Sequence, residues 1–267
     1  MIKRAGKLDT GKIFEFLQNE GSINTVILAY LEKYGLEKDF LEVWLYFNEN
    51  ETSVLAVIMR YFNSLYIYSG GCISDTEEIG SFISFIGADI ISGKLDILSD
   101  IALHLENMVL EPYCHMVLGD GSRLECCGEV QRVTLDDCRE LSFLIYSVPE
   151  FARFYHSRLE IEQGMRKRLE LGICRYFVIR TDGKIVSQAY TTTESSQYAT
   201  IGGVVTLKEY RNRGFASKIV SGICKDILRD HKIPNLFYNN EEAGRVYKHL
   251  GFSEAGEYAM LLSEKYR

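Results

Sequence analysis

The chain of 267 residues is 46% hydrophobic and 25% charged, with 14 Phe, 17 Tyr and only 3 Pro. This excludes disorder, a fibrous repeat and low complexity, and fits one large domain or two small ones. The formal charge of −7 argues against a general nucleic-acid binder, but it is uneven: residues 1–126 hold 9 Lys and Arg against 19 Asp and Glu, a balance of −10, and residues 127–267 hold 21 against 18, a balance of +3.

In the first half, apolar spacing predicts helices over Ile13–Leu17 and Ile23–Leu31 and strands over Leu41–Phe47, Val54–Arg60 and Leu65–Tyr68. Helices over Asp75–Phe85 and Leu95–Leu105 and a strand over Tyr113–Leu118 follow. The polar turn region from Gly119 to Gly128 is the best candidate boundary, dividing the chain into 1–126 and 127–267. Beyond it, Val130–Val133 reads as a strand, and Thr134 with Asp137 opens a helix that Pro149 stops. Ser157 with Glu160 opens a second helix, ending at Gly172. Strands follow over Arg175–Arg180, Lys184–Thr193 and Tyr198–Thr206, the first two joined by the Thr181-Asp182-Gly183 turn. A long helix from Gly214 to Leu228 carries Phe215, Ile219, Ile223 and Ile227 on one face. Leu236–Tyr238, Glu241–Leu250 and Tyr258–Leu262 complete the half as strand, helix and strand. The first half repeats this order loosely, which suggests a duplicated, diverged α/β fold.

The segment with most chemical content is Ile201–Leu228, a strand, a basic loop and a helix. Arg211, Asn212, Arg213, Gly214, Phe215 and Ala216 sit where the helix begins. Unpaired N–H groups there can cradle a pyrophosphate, and the two arginines would add charge-assisted hydrogen bonds. The same residues also suit a tight turn with two solvated arginines. Asn240–Phe252 follows the next strand, with Ala243, Tyr247 and Leu250 on one helical face. Here too there are two readings: Asn240 is a good N-cap and Tyr247 a plausible core aromatic.

Together, R-x-x-G-x-A (Arg211, Gly214, Ala216) and N-x-x-A-x-x-x-Y-x-x-L-G-F (Asn240 to Phe252) resemble the GNAT superfamily of acyl-CoA N-acyltransferases over residues 130–267. Ile201–Ala216 looks most like its glycine-acyltransferase-like branch. The resemblance implies a mixed, splayed sheet flanked by helices, with acetyl-CoA or another acyl-CoA entering between two parallel strands. It implies that the main chain of Val204, Val205 and Thr206 holds the pantetheine arm, that Arg211–Ala216 hold the pyrophosphate, and that Asn240 faces the pantetheine. Tyr247 would stand by the thioester sulfur.

The reaction so implied is direct attack of a primary amine on the thioester, with a Val205 N–H on the oxyanion and Tyr247 as general acid. Many relatives carry a carboxylate or histidine in the strand before the phosphate loop, but YATIGGVVT offers neither; Glu194 is the nearest candidate base, acting through a water, or else an exposed turn residue. The first half lacks both motifs: Leu65–Asp75 follows a strand without R-x-x-G-x-A, so this half is expected to serve as a lid, substrate wall or dimer surface. A non-catalytic acyl-CoA sensor is the alternative function.

Other chemistries lack support. The opening MIKRAGKLDTGKIFEFLQNE has no signal-peptide stretch and no apolar run approaches the roughly 18 residues of a membrane span, so a cytoplasmic chain is expected, acting on a small amine or peptide amine, without nucleic acid or membrane. A homodimer is open. The seven cysteines have no C-x-x-C spacing and read as reduced packing residues, the five histidines show no ligand spacing, and no metal is expected. Trp44 reads as core.

Overall fold

The computed structural model describes residues 1–73 and 75–266; residue 74, inside the Leu65–Asp75 segment, lies outside them. In chain order the first elements are β1 (Ile2–Arg4), α1 (Thr10–Gln18), α2 (Thr25–Tyr34), β2 (Leu41–Phe47), β3 (Val54–Tyr61), β4 (Ser64–Ser69), α3 (Thr76–Ile86), β5 (Ile90–Lys94), α4 (Leu95–Ala102) and β6 (Met108–Leu118). Then come β7 (Val130–Arg132), α5 (Cys138–Tyr146), α6 (Pro149–Ala152), α7 (Arg158–Glu170), β8 (Tyr176–Thr181), β9 (Lys184–Glu194), β10 (Tyr198–Thr206), α8 (Phe215–Arg229), β11 (Ile233–Tyr238), α9 (Glu241–His249) and β12 (Phe252–Ser263). The chain forms two compact units, Met1–His115 with Ala255–Arg267, and Met116–Glu254. These cuts fall within β6 and β12 rather than at the expected 126/127.

In the first unit the strands run β1-β2-β3-β4-β5-β12. Leu41, Val43 and Leu45 alternate inward along β2, and Ile79 and Ile83 of α3 lie in the same unit's core at helical spacing. Trp44 is partly buried, packed edge-on against Phe82 of α3. The pairs β1–β2, β2–β3 and β3–β4 are antiparallel, whereas β4 and β5 are parallel, from Ser64↔Ile90 to Ile67↔Gly93. Two strands here escape the sequence pattern. β1 is only three residues long, and β5 reads Ile-Ile-Ser-Gly-Lys, poor in strand formers. Gly93 is there because a Cβ would fall 2.5 Å from the Ile67 carbonyl oxygen.

The last strand was expected to close the second half. Instead β12 pairs antiparallel with β5 of the first unit, from Tyr258↔Lys94 to Leu262↔Ile90, and buries Ala259, Leu261 and Leu262.

In the second unit the strands run β7-β8-β9-β10-β11, antiparallel except for the parallel pair β10–β11. α8 lies on β8, β9, β10 and β11, and its Ile219, Ile223 and Ile227 are fully buried. Each such residue contributes roughly 1.5–3 kcal/mol by burial. The order strand, two helices, three strands, helix, parallel strand, helix is common to both units, apart from the four-residue α6. Among the described residues no helix is long and apolar enough to cross a membrane, and no group of His, Cys, Asp and Glu is gathered to hold a metal.

Candidate active site

The second unit's parallel pair is short. β10 and β11 pair from Tyr198↔Ile233 to Ile201↔Leu236 and no further, while β10 runs on to Thr206 and β11 to Tyr238. β10 therefore leaves its neighbour just where Gly202-Gly203-Val204-Val205 begins. On its other side it stays with β9, but with a bulge between Gly202↔Tyr190 and Val205↔Gln188. Gly203 adopts φ +56, and an ideal Cβ on it would lie 1.9 Å from the Tyr190 ring, so only glycine fits.

Side chains of β9 tie down the bulge. Gln188 Nε2 donates to the Gly203 carbonyl (3.1 Å), and Ser187 Oγ donates to the Val205 carbonyl (3.0 Å). The Leu207 N–H also turns to β9, donating to Val186. Because strand main-chain groups alternate sides, Val204 and Thr206 present theirs away from β9, toward the gap beside β11. The Val205 carbonyl is thus engaged on the β9 side.

The loop after β10 ends in an open helix start. Asn212 and Gly214 take φ +60 and +77, and Gly214 is the N-cap of α8 with nothing within 4 Å of a notional Cβ. No side chain caps this helix and no acidic residue lies in its first turn. Its first N–H groups and its positive dipole end therefore remain to be used. Arg211 and Arg213 are exposed; Arg211 Nε donates to the Thr206 carbonyl (3.3 Å), and the Arg213 guanidinium lies 5.3 Å from the Tyr210 ring centroid. Phe215 and Ala216 begin the helix, half-buried. The corresponding helix of the first unit is the opposite case. Asp75 caps α3 by accepting from the Glu78 N–H (3.1 Å), and Glu77 and Glu78 occupy its first turn. Those carboxylates put negative charge at the α3 start, where the first turn of α8 carries none.

α9 begins at Asn240, whose Oδ1 accepts from the Glu242 N–H (2.8 Å). Its carbonyl thus serves the helix, and only its amide N–H groups are free to face a ligand. Tyr247, on the buried side of α9, stands edge-on to Tyr238 and Phe252, each 5.9 Å away between centroids. Its hydroxyl makes no hydrogen bond to a described residue. Burial, and to a lesser degree Cys224, raises its pKa above the usual tyrosine range, so it remains a proton donor.

Glu194 is not placed to be the base. It pairs with Ala199 at the start of β10, three to six residues before the bulge, about 10–20 Å at strand rise. Its carboxylate takes two hydrogen bonds from Arg175 (both 2.8 Å), one from Lys232 (2.9 Å) and one from Thr191 (2.9 Å). Burial alone would raise its pKa, but these partners outweigh it and hold it at about 2. Arg175 reaches on to Asp226 of α8 and to Asp230. The sequence shows each of these residues but not the clasp they make, because they lie far apart in the chain. The Gly202-Gly203 pair was the available signal for the bulge.

The model of the family described as GNAT acetyltransferase matches residues 172–261. None of the curated proteins matches the chain. Among solved structures it is similar to a GCN5-related N-acetyltransferase from Sphaerobacter thermophilus (16% identity, 100% of this chain and 96% of that one, TM-score 0.62). It is also similar to a GNAT-family acetyltransferase from Colwellia psychrerythraea (15%, 98% and 99%, TM-score 0.59) and to a tandem GNAT protein from the clavulanic acid biosynthesis pathway (11%, 99% and 98%, TM-score 0.61). The family model thus covers residues 172–261 of this chain, and the likeness to these solved structures, a tandem GNAT protein among them, shows that the chain has a GNAT-type fold.

Proposed function

We propose that this protein transfers an acyl group, in the first place acetyl, from acyl-CoA to a primary amine by direct attack. The observation that carries the reading is the parting of β10 from β11 beside an uncapped, acid-free α8 start flanked by Arg211 and Arg213. A pantetheine arm needs main-chain partners along an unpaired strand edge, and a pyrophosphate needs N–H donors and positive charge; both are here.

In this reading Arg211, Asn212, Arg213, Gly214, Phe215 and Ala216 hold the pyrophosphate. The main chain of Val204 and Thr206 lines the pantetheine arm, joined by the Asn240 amide. The thioester supplies an activated acyl carbon. The Val204 N–H donates to its carbonyl oxygen as negative charge develops there. Tyr247 gives a proton to the departing sulfur, and its raised pKa keeps that proton in place. Holding both reactants in line contributes about 7–11 kcal/mol, so few side chains are required. With Glu194 engaged elsewhere, water takes the proton of the incoming amine. For a lysine-like amine that deprotonation costs roughly 4–5 kcal/mol at pH 7.

The test is calorimetry with acetyl-CoA followed by a thiol-release screen over amines, amino acids, polyamines and peptides. Binding should weaken at least tenfold in Gly214→Glu, which puts a carboxylate at the helix start; undiminished binding overturns the loop assignment. Tight binding without turnover on any amine would favour the sensor, the reading that the lack of a carboxylate or histidine on β10 supports.

A further inference from the structure

Gln188 lies near the middle of β9, opposite Val178 of β8 and Val205 of β10, with 1% of its surface exposed. Its Nε2 donates to the Gly203 carbonyl at 3.1 Å, and its Oε1 is buried without a hydrogen-bond partner among the described residues. The nitrogen must be the atom at the carbonyl, because two oxygens facing each other there would repel. A buried amide oxygen left unsatisfied is costly, and a leucine or methionine between the two valines would pack without that cost. What the amide supplies that an apolar side chain would not is its N–H donor.

That donor acts where the ladder is broken on both sides. On β9, Gly202 pairs with Tyr190 and Val205 with Gln188, so Gly203 and Val204 together face Ala189; on β11, pairing has already ended at Ile201↔Leu236. The Gly203 carbonyl and the Val204 N–H belong to one peptide group, and in a trans peptide they point in opposite directions. Drawing the carbonyl toward Gln188 therefore turns the Val204 N–H away from β9. The Tyr190 ring fits Gly203 at φ +56 but does not set the next torsion, and glycine permits this peptide to turn over. Turned over, it would present a carbonyl oxygen where the N–H now stands, and an acceptor there would repel a developing oxyanion.

We infer that Gln188 is a positioning residue for acyl transfer: its amide holds the Gly203–Val204 peptide in the orientation that directs the Val204 N–H at the thioester carbonyl oxygen. This rests on the acyltransferase reading above, in which that N–H meets the oxyanion. Gln188 itself touches neither reactant and acts only through the main chain. The reaction needs its donor and not its volume, so a side chain of equal size without the donor should fold and bind but turn over poorly.

The full-length protein is compared with Gln188→Met, which keeps the volume and removes the donor, and with Gln188→Leu should Q188M not fold; circular dichroism checks folding and calorimetry the affinity for acetyl-CoA. On the amine that the thiol-release screen selects, kcat should fall roughly 100-fold, the scale of one lost oxyanion donor, with acetyl-CoA affinity and the KM of the amine unchanged. The infrared band of acetyl-CoA isotope-labelled at its carbonyl carbon gives a readout that a packing role would not move. Bound to wild type, the band should lie below that of free acetyl-CoA, as for a hydrogen-bonded carbonyl, and in Q188M it should return toward the free position. An unchanged kcat, a fall in kcat matched by an equal loss of acetyl-CoA affinity, or a fall with the band unmoved overturns the inference. If acetyl-CoA binds but no amine is turned over, the acyltransferase reading fails and the band alone decides. A downshift that depends on Gln188 upholds the positioning role; a downshift independent of it, or none, overturns it. Absence of acetyl-CoA binding overturns both.

Discussion

The ring of Tyr190 occupies the space that a side chain on Gly203 would need, with Cε1 1.9 Å from where a Cβ would stand. This contact fixes the bulge in β10 from the β9 side, and with it the direction in which Val204 presents its main chain. Gly203→Ala must both move a packed ring and hold alanine at φ +56. About 2–5 kcal/mol of stability should be lost, from strain and overpacking together. Thermal unfolding of G203A measures it, and Tyr190→Ala in the same chain should return part of the loss; an unchanged melting temperature in G203A would contradict the contact.

Tyr247 is expected to matter for rate and not for folding. Its hydroxyl has no hydrogen-bond partner among the described residues, so Tyr247→Phe should leave stability within about 0.5 kcal/mol. If it protonates the departing sulfur, kcat should fall about a hundredfold while acetyl-CoA binding holds. Since burial raises its pKa, the alkaline limb of the wild-type rate should lie above the ordinary tyrosine range. A fall in both rate and melting temperature would point to a packing role instead.

Glu194 should prove structural. Its pKa is about 2 in the folded chain against an ordinary 4.5, so it binds protons more readily when unfolded. The stability this contributes is fully present above pH 4.5 and is lost as pH falls from there toward 2, on the order of 3 kcal/mol. Glu194→Gln should destabilise the chain by about 3–5 kcal/mol at pH 7, because Arg175 and Lys232 lose a largely buried partner. It should also flatten the acid part of the stability curve. The pH profile of turnover, normalised to folded protein, should keep its acid limb; loss of that limb would restore Glu194 as the base.

The last strand gives a prediction for the first unit. Leu261 is fully buried and pairs with Ile91. Leu261→Asp should cost at least about 3 kcal/mol, the scale of an uncompensated charge put into a core. A fragment ending at residue 126 lacks this strand and leaves the β5 edge bare, so it should aggregate or remain unfolded. Circular dichroism of the fragment, with and without a peptide spanning 252–267, checks this; a stable fragment by itself would show that β12 is dispensable to that unit.

Much of the second unit was legible because its signals are local. Ile219, Ile223 and Ile227 recur at helical spacing, Ser157 and Asn240 cap the helices they precede, and Arg211–Ala216 sits between a strand and a helix. In the first unit β5 was missed because Ser92 and Gly93 are set by a neighbouring main chain and not by strand propensity. Glu194 was misread for a similar reason: its partners Arg175 and Lys232 lie 19 and 38 residues away, and no spacing rule links them.

The sequence by itself determined the alternation of helices and strands, the charge difference between the halves and the two motifs, since propensity, capping and amphipathic period are properties of neighbouring residues. Only the tertiary structure decided that β10 parts from β11 after Ile201, that the Val205 carbonyl is engaged on the β9 side, and that β12 pairs with β5. Those outcomes depend on which strand edges and side chains meet across long stretches of chain, and sequence distance carries little information about such meetings.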